Sequence, residues 1–209
     1  MTETAAREAT AGQRQDLVEL LTGLDEEQWA APSLCAGWRV REVVAHMTMP
    51  YRLSSRQFLM GMIKAGGRFN RMSDRQAKAD AARLSDAELL ASLRDNVHHP
   101  WKPPGGGYIG ALSHDVIHGL DITIALGLDH LVPVEWIRMI LEEAGPKQVR
   151  YFGVDLDGVR LRADDLDWSF GTGEGLTGRA QHLLMVLCGR RLPSGLVHGS
   201  PAARFARAE

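Results

Sequence analysis

Apolar residues recur at helical spacing along most of this chain. Leu17, Leu20, Leu21 and Leu24 form one stripe and predict a helix over 4–24. The run from Asp25 to Ser33 breaks that pattern, and Pro32 marks a loop. A second helix is expected to start near Trp38, with Val40, Val43, Val44, Met47 and Tyr51 inward and His46 close to the same face. It is expected to continue as helix from Leu53 to Gly66, where Gly66-Gly67 stops it. Residues 66–84 are polar and read as a partly helical crossing. Ser85-Asp86-Ala87-Glu88 has capping-box spacing and starts another helix reaching about Val97. The segment 98–108, HHPWKPPGGGY, is irregular, because its prolines and consecutive glycines suit neither helix nor strand.

The next stretch, Ile109 to Leu126, is mostly apolar but holds His114, His118 and Asp121. Leu112, Val116, Leu120 and Ile124 fill neighbouring faces, so this helix is expected to be buried on more than one side. Gly127 ends it, and a further amphipathic helix is predicted from Val134 to about Val149, with Trp136, Ile137, Ile140 and Leu141 at its apolar positions. The period then changes. Residues 158–163 alternate with period two, as a half-buried strand does, and Asp167 to Gly171 reads as a second strand. GTGEG is expected to be a turn, followed by a helix from Gly178 to Arg190, a short strand Leu196-Val197-His198 and a frayed terminal helix. The fold class is therefore α+β and mostly helical: a helical bundle over 1–150, then a small α+β unit over 151–209.

Composition narrows the functional classes. The formal net charge of -2 gives no electrostatic case for nucleic acid or an anionic membrane as partner. No apolar run is long enough to span a bilayer, and the polar N-terminus lacks the apolar core of a secretory signal, so the expected location is the cytoplasm. Cys35 and Cys188 lie far apart and read as free thiols.

The chemistry concentrates on the histidine helix. At 100° per residue, positions 114, 118 and 121 fall within about 60° of one another and share a face. Two imidazoles in an apolar helix are costly to bury unless something binds them, and spacing i, i+4 lets both reach one metal ion. His46, inward on another long helix, is the natural third ligand. Asp121 either accepts the free ring N–H of a ligand histidine or is a ligand itself. The alternative is a set of core histidines satisfied by Asp115, Asp121 or backbone groups. His98 and His99 sit in the irregular loop, where they face solvent or overhang the site; His130, His182 and His198 read as incidental. HDVIH also approximates the H-E-x-x-H of zinc peptidases, but aspartate is shorter than glutamate and no active-site strand is expected before residue 150. Cys35 precedes the second helix, whose amide groups would depress its pKa if they faced it. GTGEGLTGR lacks the lysine of a phosphate loop and reads as a hairpin turn and helix start.

Glu27-Gln28-Trp29, Pro32-Ser33, Gly37-Trp38, Val40-Arg41 and Val43-Val44-Ala45-His46 resemble the N-terminal domain of the mycothiol-dependent maleylpyruvate isomerase family, a DinB-like four-helix fold. His114, His118 and Asp121 match that family's second signature, and Asp167-Trp168, Gly173, Gly178 and LLMVLCGRR are similar to its small C-terminal domain. The resemblance implies a divalent metal, zinc first with nickel or others open, on His46, His114 and His118. It also implies mycothiol as cosubstrate, and Arg190 as the family's C-terminal arginine, with Arg191 competing. In the isomerase the ligand corresponding to His114 is a glutamate; the all-histidine set here looks more like thiol S-transferases of the superfamily. The implied function is a metal-dependent thiol S-transferase or isomerase acting on a small electrophile, with Asp121 and Arg190 catalytic and Trp38 at the mouth, in a monomer or homodimer. The alternative is a non-catalytic metal- or small-ligand-binding protein of the same fold.

Overall fold

The computed structural model describes residues 2–207. Helix α1 spans Glu3–Thr22 and is capped by the Thr2 side chain, which accepts from Ala5 N–H. A short α2, Glu26–Ala30, occupies the expected break, because Asp25 and Gln28 close a capping box there. Helix α3, Val40–Arg52, buries Val40, Val43, Val44 and Met47, and Pro50 falls in its last turn. The expected continuation to Gly66 is instead a separate α4, Ser55–Lys64, because Ser54 and Gln57 form their own capping box. The polar crossing is a complete helix, α5, Phe69–Arg83, followed by α6, Asp86–Arg94. The buried residues of α5 are Met72, Ser73, Ala77, Asp80 and Ala81, a stripe with only one large apolar side chain, which an apolar pattern marks weakly.

Helix α7, Gly107–Thr123, carries the histidines. α1 packs on α7, α7 on α3, α3 on α6 and α6 on α1, so these four close a bundle, with α5 against α3 and α4 against α5. Gly119 of α7 lets α1 approach closely: a Cβ there would stand 2.9 Å from the Leu17 Cδ2. The single helix expected over 134–149 is two, α8 (Val134–Glu142) and α9 (Pro146–Phe152), since Pro146 suits a first turn and not an interior.

The small sheet has order β2-β1-β3-β4. In β1, Val159–Ala163, Val159 and Leu161 are buried while Arg160 and Arg162 face out, as period two requires. β2, Ser169–Gly171, pairs antiparallel to β1. The GTGEG segment departs from expectation. Only its first residues turn, and Glu174–Gly178 is strand β3, running parallel to β1 with Leu161 opposite Leu176. Gly173 makes this possible at φ +120, where any Cβ would overlap the Gly158 carbonyl. Helix α10, Ala180–Leu187, packs on β1 and β3, β4 is Val197–His198, and a 3-10 turn over Ala202–Phe205 replaces the expected terminal helix.

Two apolar cores meet at α7. One lies inside the bundle, with Leu17, Leu21, Val43, Val44, Met47, Leu89, Leu93 and Ile122. The other joins Leu112, Val116 and Leu120 of α7 to Ile137 and Leu141 of α8, to Val159, Leu161 and Leu176 of the sheet and to Leu183 of α10. α7 is thus buried on two sides, and its histidine face is the one left between the cores and the surface.

Candidate metal centre

The bundle brings together the imidazoles that the sequence singled out. The candidate ligand atoms of His46, His114 and His118 all lie within 4.8 Å of one another. Nε2 of His114 and Nε2 of His46 are 3.2 Å apart. Two nitrogens sharing a tetrahedral zinc at ordinary bond lengths lie about 3.3 Å apart.

Each ring is tied down by its other nitrogen. His114 Nδ1 meets Asp115 Oδ1 at 2.8 Å, His118 Nδ1 meets Asp121 Oδ2 at 3.0 Å, and His46 Nδ1 meets Ser73 Oγ at 2.8 Å. An ionised carboxylate only accepts, so His114 and His118 carry their protons on Nδ1 and turn an Nε2 lone pair inward. Ser73 either donates or accepts, so His46 can adopt the same tautomer. Lone pairs converging at such distances repel unless a cation or proton sits among them. Burial holds His46 well below the ordinary histidine value, helped by His118 and His114. It also lowers His118, against the opposing effect of the hydrogen bond that His118 donates to Asp121. Neutral imidazoles are what a metal needs.

Behind the rings the structure repeats one arrangement twice. Arg14 Nε donates to Asp115 Oδ2 at 2.7 Å, with both side chains only 1% exposed. Arg190 grips Asp121 through Nε to Oδ1 at 2.8 Å and Nη2 to Oδ2 at 2.9 Å. Burial would raise both carboxyls; His114 with Arg14, and Arg190 with His118, overcome it and hold them below the usual carboxylate range. Burial works against the Arg190 charge as well, yet Asp121 raises its pKa above the ordinary arginine value. The two His-Asp-Arg chains differ in access, since the Arg14 side chain is sealed and that of Arg190 is 17% exposed.

Local structure explains why Arg190 and not Arg191 turns inward. Gly189 N–H donates to the Val186 carbonyl and Arg190 N–H to the Met185 carbonyl, with Gly189 at φ +72, which is a Schellman ending to α10. Arg191 points the other way and donates to the carbonyls of Arg204 and Ala206. Trp38 is half-buried; its ring centroid is 5.0 Å from that of His46, and its Nε1 donates to Asp74 Oδ1 at 2.8 Å. In the proline-glycine loop Trp101 meets His114 edge-on at 5.2 Å. The loop histidines do not reach the site. His99 packs on Tyr51 and its carbonyl accepts from Arg14, while His182 Nδ1 bonds the Leu196 carbonyl.

Asp115 is bound to His114 and Arg14, and among the described residues no strand precedes residue 159, so the peptidase arrangement is not built here. Both cysteines are free, and Cys35 sits 3.8 Å from Arg190 Nη2. Its thiol is not depressed. Burial, aided by Asp121 and opposed by Arg190, pushes it up to about 11, and burial pushes Cys188 up to about 12. A cleft of about 720 Å³ opens beside the site; Trp38 and Arg190 form part of its wall, with Arg39, Lys78, Arg191 and Arg207. Ser73 and Arg14 were not legible as site residues. The one signal for Ser73 is its place in the small-residue stripe of α5.

Residues 10–99 match the family model of the mycothiol maleylpyruvate isomerase N-terminal domain, the part that carries His46. The whole chain is similar in fold to a crystal structure of a histidine-to-alanine mutant of the mycothiol-dependent maleylpyruvate isomerase. The TM-score is 0.65 at 14% identity, covering 97% of this chain and 94% of that one. A second crystal structure of the mycothiol-dependent maleylpyruvate isomerase matches with TM-score 0.54, at the same identity and coverage. No curated protein matches in sequence. The N-terminal match is to the domain of the family that the residues resemble, and at this identity the structural likeness speaks for the fold alone. No helix among the described residues is long and apolar enough to cross a membrane.

Proposed function

We propose, for a chain whose residues 10–99 match the mycothiol maleylpyruvate isomerase N-terminal domain, a metal-dependent enzyme that joins a low-molecular-weight thiol, mycothiol, to a small electrophile. The reaction class is thiol S-transfer or thiol-dependent isomerisation. The observation that carries this reading is the convergence of three imidazole Nε2 atoms whose Nδ1 atoms are all anchored.

His46, His114 and His118 would hold a divalent ion, zinc first. Bound there, it supplies Lewis acidity that lowers the pKa of a ligated thiol. The donor set fits the ion, being three neutral nitrogens at suitable separations with their tautomers set from outside. Three neutral ligands leave the full dipositive charge at the site, which favours an anionic thiolate more than a set containing glutamate does.

The chain's own thiols support an external thiol. With Cys35 at about 11 and Cys188 at about 12, neither is ionised near neutral pH. Asp121 fixes the His118 tautomer and aims Arg190 at the border between the histidines and the cleft. From there the guanidinium stabilises negative charge on substrate or thiol. Arg39 is paired with Glu42 and Lys78 with Asp74, so Arg191 and Arg207 supply the uncompensated positive charge of the cleft wall, which suits an anionic electrophile. Trp38, fixed by Asp74, and Trp101 close the flanks and limit water.

The test uses protein purified without added metal or chelator. About one zinc per chain is expected, and His46→Ala and His114→Ala lose it. Full metal content in both variants would show that these histidines are not the ligands. Mycothiol consumption is then followed with a panel of electrophiles. Metal bound without any rate above the uncatalysed reaction leaves a binding protein and removes the enzyme.

A further inference from the structure

Five large exposed apolar side chains, Phe58, Leu59, Met60, Ile63 and Phe69, crowd onto α4 and the start of α5. α4 buries none of its residues. It is held to the body mainly by Met62, which packs with Leu53 on Met49, Ala65 and Met72. At 100° per residue Arg56, Leu59, Met60 and Ile63 lie within about 100° of one another, so they form a single outward ridge. Leu59 is 59% and Ile63 62% exposed, and among the described residues the other exposed large apolar side chains, Leu131 and Tyr151, lie outside this cluster.

Charge is segregated onto the segment that carries this ridge. From Val43 to Ser73 the chain contains Arg52, Arg56, Lys64, Arg68 and Arg71 and no carboxylate, which makes this segment +5 and the remainder -7. Asp80 takes up Arg52, whereas Arg56, Lys64, Arg68 and Arg71 enter no ion pair among the described residues. The formal net charge of -2 therefore conceals a cationic face. Screening over about 8 Å at physiological salt keeps distant acidic residues from cancelling it.

We infer that this ridge docks the protein on an anionic lipid bilayer, with α4 lying in the headgroup plane. The ridge belongs to a helix that buries none of its residues, and a deformable bilayer accepts a ridge that a protein partner could receive only in a groove. Leu59, Met60 and Ile63 enter the acyl boundary, while Arg56, Lys64, Arg68 and Arg71 meet headgroup phosphates. A second copy is a poor occupant: a two-fold pairing of ridges sets cation against cation, with no carboxylate from 43 to 73 to answer them. The docking needs no metal and does not depend on the catalytic reading.

The experiment is co-sedimentation of the full chain with vesicles of phosphatidylcholine alone and of equimolar phosphatidylcholine and phosphatidylglycerol. Binding is expected only to the anionic vesicles, weakening as salt rises. Ile63→Glu abolishes it, and Arg56→Ala with Lys64→Ala weakens it about 30-fold. These residues are exposed, so unchanged thermal melting verifies the fold of each variant. No partition onto the anionic vesicles at low salt overturns the inference, as does equal binding to both compositions. A dimer in sedimentation velocity that Ile63→Glu dissociates assigns the ridge to a second copy instead.

Discussion

Asp115→Asn removes one charge while keeping the shape of the side chain. Asp115 accepts from His114 on one oxygen and from Arg14 on the other, and both it and Arg14 are 1% exposed. Asparagine keeps one acceptor and turns an amide N–H toward the second donor, so Arg14 is left as a buried cation with no counter-charge. Removing one partner of a buried pair costs about 3–5 kcal/mol, a large share of the roughly 5–15 kcal/mol that holds a domain. His114 keeps its ring but loses the carboxylate that makes it basic, and such a change weakens metal affinity about 10- to 100-fold. Denaturant unfolding of metal-free protein measures the first loss, and zinc competition against a chromophoric chelator measures the second. The double variant Arg14→Met, Asp115→Asn separates them. Without the stranded cation stability largely returns, while zinc binding stays weak because His114 still lacks its carboxylate. If Asp115→Asn left both stability and zinc affinity within twofold of the parent, the assigned role of this His-Asp-Arg chain would be wrong.

Arg190→Lys is expected to leave zinc content unchanged and lower thiol-transfer turnover about 10- to 100-fold, because an ammonium cannot reproduce the two-pronged grip on Asp121; wild-type kinetics would exclude Arg190 from the chemistry. Metal-free protein should lose stability as pH falls below the unfolded histidine value of about 6.5. Burial depresses His46 and His118 in the fold, so the unfolded chain binds protons there that the native state does not. With two such groups the slope approaches about 2.7 kcal/mol per pH unit below that point, and a flat stability profile from neutral to mildly acidic pH would contradict it. Gly119→Ala gains about 1 kcal/mol of helix propensity but presses a methyl onto buried Leu17, an overpacking cost of about 1–3 kcal/mol. Net destabilisation of about 1 kcal/mol is expected in thermal or urea unfolding, and a more stable protein would show that α1 and α7 can separate freely.

The histidine spacing on α7 and the inward place of His46 on α3 were legible in the chain, because helical periodicity alone decides which side chains share a face. The capping box at Ser85 was equally local, whereas Arg190 came from the family resemblance, and only the ending of α10 separates it from Arg191. Other features resisted such reading for physical reasons. α5 reads as only partly helical because its buried stripe, Met72, Ser73, Ala77, Asp80 and Ala81, holds one large apolar side chain and otherwise small or polar ones that pack on α3. The start of β3 reads as a turn in the sequence because its pairing with β1 depends on Gly173 passing the Gly158 carbonyl, a contact between segments 15 residues apart. The partner of Asp115 lies 101 residues away on α1, that of His46 27 residues away on α5, and that of Asp121 69 residues away beyond α10. The sequence by itself determined that three imidazoles could face one point. Only the tertiary structure decided which groups hold each ring and fix its tautomer, because such bonds form between elements that packing alone brings together.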